Sequence, residues 1–437
     1  MNYSLYFHIP FCVHRCAYCD FNTYAGQEAS IPAYVEALGR EVEFVGQNFP
    51  AGNQVHTIFF GGGTPSLLSP AQFDSIFRSI HKHFPLTNDA EITIEANPGT
   101  VHLEQLQALY AIGINRLSFG VQSANGEELR MLERAHDFFD VLDAVHWART
   151  AGFDNFNLDL IYGLPEQTLG TWQTTVERIL GLHPDHISAY ALTLEHGTPF
   201  GRWTARGLLP LPDPDLAAEM YEWASEAFDA AGYLQYEISN WALDHPPSII
   251  APQSSIVNHQ SSIINRKSLI VNRKSLVSPS FACLHNLQYW RGLPYLGFGA
   301  GAHGYADGYR YSNVLRIKTY IDRMSNVEFP ISNYQFPLSP ATVNQHHQTS
   351  ENDMSEYMLT GLRLTREGVS ASAFLYRFGR DLREVYGHEI DELIRLGLLE
   401  WHKETSEAPK SGGTSEVLRL TVRGRLLGNQ VFMRFLE

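Results

Sequence analysis

Cysteine is scarce in this chain, with four in 437 residues. Three of them fall at 12, 16 and 19, and the fourth stands far away at 283. A disulfide framework would spread its cysteines along the chain, and a cluster of three pairs badly. The set implies a reducing cytoplasm, where grouped thiolates bind metal. No stretch approaches the roughly 18 apolar residues that a spanning helix needs, which excludes membrane insertion. The opening MNYSLYFHIP has no basic n-region and no small-residue cleavage site, so no signal peptide is expected. Basic charge is also in the minority. Lys and Arg number 32 against 47 Asp and Glu, a net charge of −15. A chain without a basic face is not expected to bind nucleic acid or an anionic membrane surface. What is plentiful is apolar residues, 44% of the total, enough to fill two or three domains.

The first 230 residues alternate between two periodicities. Strand-like runs occur at 5–9, 55–60, 91–96, 115–119, 156–161 and 186–192. Amphipathic helical spacing separates them, for example at 34–44, 103–111, 141–151 and 171–180. Six βα units in succession imply a parallel sheet, either open and doubly wound or part of a barrel. Beyond 310 the pattern turns mainly helical, at 351–362, 371–378 and 382–396. GLLEW and VLRLT then read as two strands around a polar tip at 403–415, with a last helix from Val422. Helix, helix, wing suggests a winged-helix-like C-terminal domain. It shows no basic recognition face, so a packing or interaction role is expected of it. The resulting division is 1–230, 231–310 and 311–437.

Within the middle part, residues 246–280 contain four tandem seven-residue units: SIIAPQS, SIVNHQS, SIINRKS and LIVNRKS. Paired apolar residues followed by polar ones do not form a coiled-coil seam. The preferred reading is a surface insertion grown by repeat expansion. A basic docking loop carrying Arg266, Lys267, Arg273 and Lys274 is the alternative.

Cys12, Cys16 and Cys19 form C-x3-C-x2-C directly after the first strand. Three thiolates on a wrapped loop can meet one face of an iron–sulfur cubane and leave a fourth iron open. A zinc knuckle completed by His8 or His14 would use the same spacing. The neighbouring features are positional. Gly61-Gly62-Gly63-Thr64-Pro65 follows the second strand, Glu95 ends the third, Gln122 follows the fourth, and Asp159 ends the fifth. Polar and glycine residues therefore gather at the carboxyl ends of parallel strands, where βα folds place their sites. GGGTP is not a phosphate-binding P-loop, because the Gly-Lys-Ser/Thr is missing.

HIPFC-x3-C-x2-C, GGGTP, EANP, GVQS and DLIYGLP occur in that order, and together they carry a resemblance. Apart from 246–280 the whole chain resembles the radical S-adenosylmethionine proteins related to oxygen-independent coproporphyrinogen III oxidase. The resemblance implies a partial (β/α)6, TIM-like barrel with the winged-helix-like domain appended. It implies a [4Fe–4S] cluster on Cys12, Cys16 and Cys19, with S-adenosylmethionine on the open iron. Tyr6 and Tyr18 would line that cofactor, and Gly62, Gly63 and Thr64 would receive its amino group. Glu95, Gln122, Arg134, Asp159 and Ala191 would surround its ribose, carboxylate and adenine. One-electron cleavage of the sulfonium to methionine and a 5′-deoxyadenosyl radical is the chemistry such a pair supplies.

Two departures separate this chain from the oxidase branch. Phe21 stands where the oxidase has a further cysteine, and few residues precede Cys12. Both match the HemW-type heme chaperones, as does the HNLQYW stretch at 285–290, which resembles their H-N-x-x-Y-W heme-binding motif. That resemblance implies heme as ligand, His285 as its axial residue, and delivery to acceptor proteins whose identity the sequence leaves open. Cys283 is a lesser candidate. On the residues alone, His285 held by hydrogen bonds beneath the barrel, with Tyr289 and Trp290 as core, weighs equally. Coproporphyrinogen turnover is the alternative function, and a homodimer is left open.

Overall fold

A computed structural model describes residues 1–244, 278–326, 335–403 and 416–436. The tandem repeats, up to residue 277, and the wing tip from 404 lie outside the described residues.

All six expected strands form, and they pair in chain order: β1 (Asn2–Ile9), β2 (Gln54–Gly62), β3 (Leu86–Ala96), β4 (Arg116–Gln122), β5 (Phe156–Tyr162) and β6 (His186–Ala191). Every neighbouring pair among them is parallel. Parallel strands need crossovers, and helices supply them. These are α1 (Ile31–Gly46), α2 (Pro70–His83), α3 (Leu103–Ala111), α4 (Gly126–Met131), α5 (Phe138–Ala151) and α6 (Leu169–Leu180), followed by α7 (Pro199–Ala205) and α8 (Pro214–Ala230). Their starts are written in the sequence. Ser69, Asp137 and Thr168 each close a capping box on the helix that follows, satisfying amides that have no intrahelical partner.

The two-residue period of each strand divides its side chains between core and lumen. On β4, Leu117, Phe119 and Val121 join the helix-side core, while Arg116, Ser118, Gly120 and Gln122 line the lumen. On β5, Leu158 and Leu160 go outward, and Asn157, Asp159 and Ile161 face in. The outer core is aromatic at its centre. Phe7 stacks on Phe60 at 4.9 Å and on Phe298 at 5.0 Å between ring centroids. Burying each such ring contributes about 1.5–3 kcal/mol.

The sheet does not stop at six strands. Beyond β6 lie β7 (Tyr233–Glu237) and β8 (Asn240–Leu243), with β8 antiparallel to both β6 and β7. Beside β1 runs β9 (Tyr295–Phe298), parallel to it, and then the antiparallel β10 (His303–Ala306), β11 (Tyr309–Asn313) and β12 (Thr342–His347). Among the described residues the sheet has twelve strands, in the order β12-β11-β10-β9-β1-β2-β3-β4-β5-β6-β8-β7. In the region expected to be mainly helical beyond 310, β11 and β12 therefore belong to the sheet, on either side of α10 (Ile317–Ser325). Glu41 ties this extension to the barrel. Fully buried on α1, it accepts from Gly299 N at 2.8 Å, Asn313 Nδ2 at 2.8 Å, Tyr320 Oη at 2.7 Å and Ser339 Oγ at 2.7 Å.

The HNLQYW stretch is helical, and we number it α9 (Leu284–Trp290) although it precedes β9 and α10. It covers the amino ends of β1 to β3. Leu284 N and His285 N donate to Glu91 at 3.0 and 3.1 Å, and Gln288 donates to Asn2 O at 3.1 Å.

The helical and winged region follows with α11 (Ser350–Gly361), α12 (Ala371–Phe378) and α13 (Leu382–Arg395). A three-stranded sheet joins β13 (Val369–Ser370), β14 (Leu399–Lys403) and β15 (Glu416–Leu420), with β15 in the middle. Its separate core includes Met358, Phe374, Ile390 and Leu418. Arg363 fastens it to the barrel, pairing with Glu237 at 3.2 Å and lying 4.3 Å above the Trp290 ring.

Candidate functional site

The thiol loop leaves β1 at Ile9 and doubles back on itself. A short parallel pairing of Phe11–Cys12 with Tyr24–Ala25 closes it, and Cys19 N bonds Cys16 O at 3.2 Å. The GGGTP turn after β2 lies directly on this loop. Gly63 N donates to Ile9 O at 2.9 Å, and Thr64 N to Phe11 O at 2.8 Å. This closeness explains the glycines. A Cβ on Gly63 would stand 2.6 Å from Phe11 O, and one on Gly62, whose φ is +109°, would stand 2.4 Å from the His8 ring.

Each thiol has its own hydroxyl or guanidinium neighbour. Thr64 Oγ1 donates to Cys12 Sγ at 3.6 Å, Arg134 Nη1 to Cys16 Sγ at 3.5 Å, and Thr23 Oγ1 lies 4.0 Å from Cys19 Sγ. Asn97 joins the first two. Its Nδ2 donates to Thr64 Oγ1 at 2.9 Å, and its Oδ1 accepts from Arg134 Nη2. Arg134 also donates to Gly120 O at 2.6 Å. A continuous arc therefore runs from Cys12 through Thr64, Asn97 and Arg134 to Cys16. Asn97 lies in the EANP motif, yet sequence reasoning assigned it no role. Its position two residues past Glu95, at the mouth of the barrel, was the available signal.

Among the described residues, no three His, Cys, Asp or Glu side chains converge tightly enough to hold one metal ion. Tetrahedral zinc needs such convergence. A cubane takes each thiolate on a different iron, so three thiols on one wrapped loop, with hydrogen bonds to sulfur, fit it.

Beneath the loop opens a cavity of about 570 Å³ running down the barrel. Cys12, Cys16, Cys19, Tyr18, Gly62, Gly63, Thr64, Glu95, Gln122, Arg134, Asp159 and Ala191 all line it. Of the expected site residues only Tyr6 and His285 do not. Gln122 holds a φ of +70°, a left-handed conformation for a non-glycine residue at a strand end, as found where a site stores strain. Asp159 accepts from Ser118 Oγ at 3.1 Å and Asn157 Nδ2 at 2.8 Å, while its burial raises the carboxyl above the usual range.

Glu95 accepts from Gly62 N at 3.0 Å. Burial, reinforced by the charge of Asp159, pushes its carboxyl from 4.5 up to about 8. The folded chain then binds a proton that the unfolded chain has already released in this window, so stability falls as pH rises from 4.5 to about 8. Glu95→Gln cannot titrate. The stability of the variant relative to the parent should rise across that range in urea unfolding, and a flat difference would place Glu95 in an ordinary environment.

Tyr6 lies outside the cavity lining. Its hydroxyl meets His8 Nδ1 at 3.0 Å, and its ring packs beside Phe59 and His285, which stack on each other at 5.1 Å. His285 is buried, with both ring nitrogens engaged: Nδ1 with Thr57 Oγ1 at 2.8 Å and Nε2 with Tyr289 Oη at 2.8 Å. Burial lowers its pKa to about 3, so the ring is neutral. Cys283 and Asn286, from the same stretch, do line the cavity.

The family model described as the radical SAM superfamily matches residues 6–179, and the HemN C-terminal domain model matches 348–413. A heme chaperone HemW of Bacillus subtilis (strain 168) is 36% identical over 435 residues, spanning 99% of both chains. The chain belongs to the HemW family. A second HemW relative, from Escherichia coli (strain K12), is 37% identical over 302 residues, 69% of each chain. The solved coproporphyrinogen III oxidase HemN of Escherichia coli shares the fold, with a TM-score of 0.74 at 24% identity, covering 99% of this chain and 90% of that one. In this HemW family member the residue two after the third cysteine is Phe21, which is 64% exposed at the rim of the cavity. Among the described residues, no helix is long and apolar enough to cross a membrane.

Proposed function

We propose that this chain holds a [4Fe–4S] cluster on Cys12, Cys16 and Cys19, binds S-adenosylmethionine beneath it, and carries heme to acceptor proteins. One observation carries the reading: 36% and 33% identity, over nearly the full chain, to relatives that are named heme chaperones. When bound, the cluster and S-adenosylmethionine supply one-electron cleavage of a sulfonium. The chain's own residues do the holding. Thr64, Arg134 and Thr23 donate to or approach the three sulfurs, and Asn97 fixes two of those donors. Glu95 and Asp159 offer carboxyls to a cationic cofactor, whose charge would draw the proton off Glu95. Tyr18, Gly62, Gly63, Gln122 and Ala191 complete the walls.

We propose that His285 would hold heme through its imidazole. Its low pKa leaves the imidazole neutral, as iron ligation requires. To reach iron, Nε2 must leave the Tyr289 hydroxyl. Tyr289→Phe frees it and should tighten heme about five-fold, the worth of one hydrogen bond near 1 kcal/mol. His285→Ala should remove the ligand-dependent shift of the Soret band. An unchanged Soret band and affinity in His285→Ala would exclude His285 as the ligand.

A further inference from the structure

Arg116 begins β4, and Gln122 ends it six residues later, which puts them about 20 Å apart along the strand. Arg116 therefore sits on the floor of the cavity, far below the thiol loop at its mouth. It lines the lumen, yet the residue is 2% exposed. Its Nε has no hydrogen-bond partner, and among the described residues no ion pair engages its guanidinium. A buried guanidinium cannot shed its proton, so it needs an anion in contact.

The nearby acids are committed elsewhere. Glu91 accepts from Leu284 N, His285 N and Cys283 Sγ. Asp159 accepts from Ser118 and Asn157. Both offset the charge of Arg116 from a distance, and neither forms an ion pair with it. His186, the neighbouring imidazole, is closed off by Asn157 Oδ1 at 2.7 Å and Tyr236 Oη at 2.8 Å. What remains is one buried cation facing open space, with Asn286 and Ser188 on the same walls.

We propose that this floor is a carboxylate-binding subsite, which takes the acid group of a ligand entering the barrel. A guanidinium fork matches a carboxylate bidentately. A monoanion suits the place better than a phosphate dianion, because Glu91 and Asp159 already bring negative charge nearby. The inference goes beyond heme transfer and does not depend on it.

The test follows the Arg116 Nε–H resonance of the isotopically labelled, cluster-loaded full chain, titrated with propionate and separately with propionamide. Arg116→Lys assigns the resonance, and Arg116→Gln does so if the lysine variant fails to fold. Propionate should shift it saturably, with the amide at least about ten-fold weaker because it lacks the charge. No saturable shift, or an equal response to the amide, overturns the proposal. Heme binding is scored separately, by its Soret band.

Discussion

Replacing Cys12, Cys16 or Cys19 by serine should strip the reconstituted chain of its iron and sulfide, lowering cluster content by more than about ten-fold. A serine oxygen is a poor substitute for a thiolate, and the three ligands proposed leave no spare. The fold should survive the change, because the three thiols sit on a loop outside the main apolar cluster of the barrel. Circular dichroism and urea unfolding should match the parent. Cys283→Ser provides the contrast. That thiol is buried on the lumen floor beside Glu91 and should leave cluster content unchanged. Equal loss in all four variants would mean that the cysteines act through folding and not as ligands.

Gly63→Ala should be nearly as damaging for a different reason. The added methyl would lie 2.6 Å from Phe11 O and 2.8 Å from Ile9 O, which are backbone atoms that no rotamer change can move. The GGGTP turn and the thiol loop must separate, at a cost of about 1–3 kcal/mol for overpacking. The hydrogen bonds Gly63 N–Ile9 O and Thr64 N–Phe11 O weaken with it, each worth about 1 kcal/mol. Thr64 then withdraws from Cys12 and Asn97, so cluster content should fall along with stability. Gly126→Ala, with open space around the new methyl, should be neutral in both measurements. A Gly63→Ala chain of parental stability and full cluster content would show that the two loops do not depend on each other.

Much of the site was legible because strand period and chain order carry it. The six parallel strands have apolar residues at alternate positions, and their carboxyl ends collect Cys12 to Cys19, GGGTP, Glu95, Gln122 and Asp159. The sheet's extension was not legible. β12, TVNQHH, has no buried residue to mark a core face, and β9 is four residues long with Gly297 inside it. These strands are held by pairing across large sequence separations, which no local pattern reports. Arg116 escaped for a related reason. An arginine at a strand start looks like a solvated end, and only the curl of the sheet, with α9 beneath it, turns it inward. The HNLQYW stretch was legible as a motif. Its place under the barrel, with His285 shared between Thr57 and Tyr289, followed only from the three-dimensional arrangement.

We propose that this barrel handles heme and does not oxidise a porphyrinogen, and an anaerobic assay tests this most directly. The reconstituted chain is incubated with S-adenosylmethionine, a reductant and coproporphyrinogen III, and the porphyrins are separated. We expect coproporphyrinogen to persist while the same preparation binds heme. Protoporphyrinogen formed at an enzymatic rate would contradict the account.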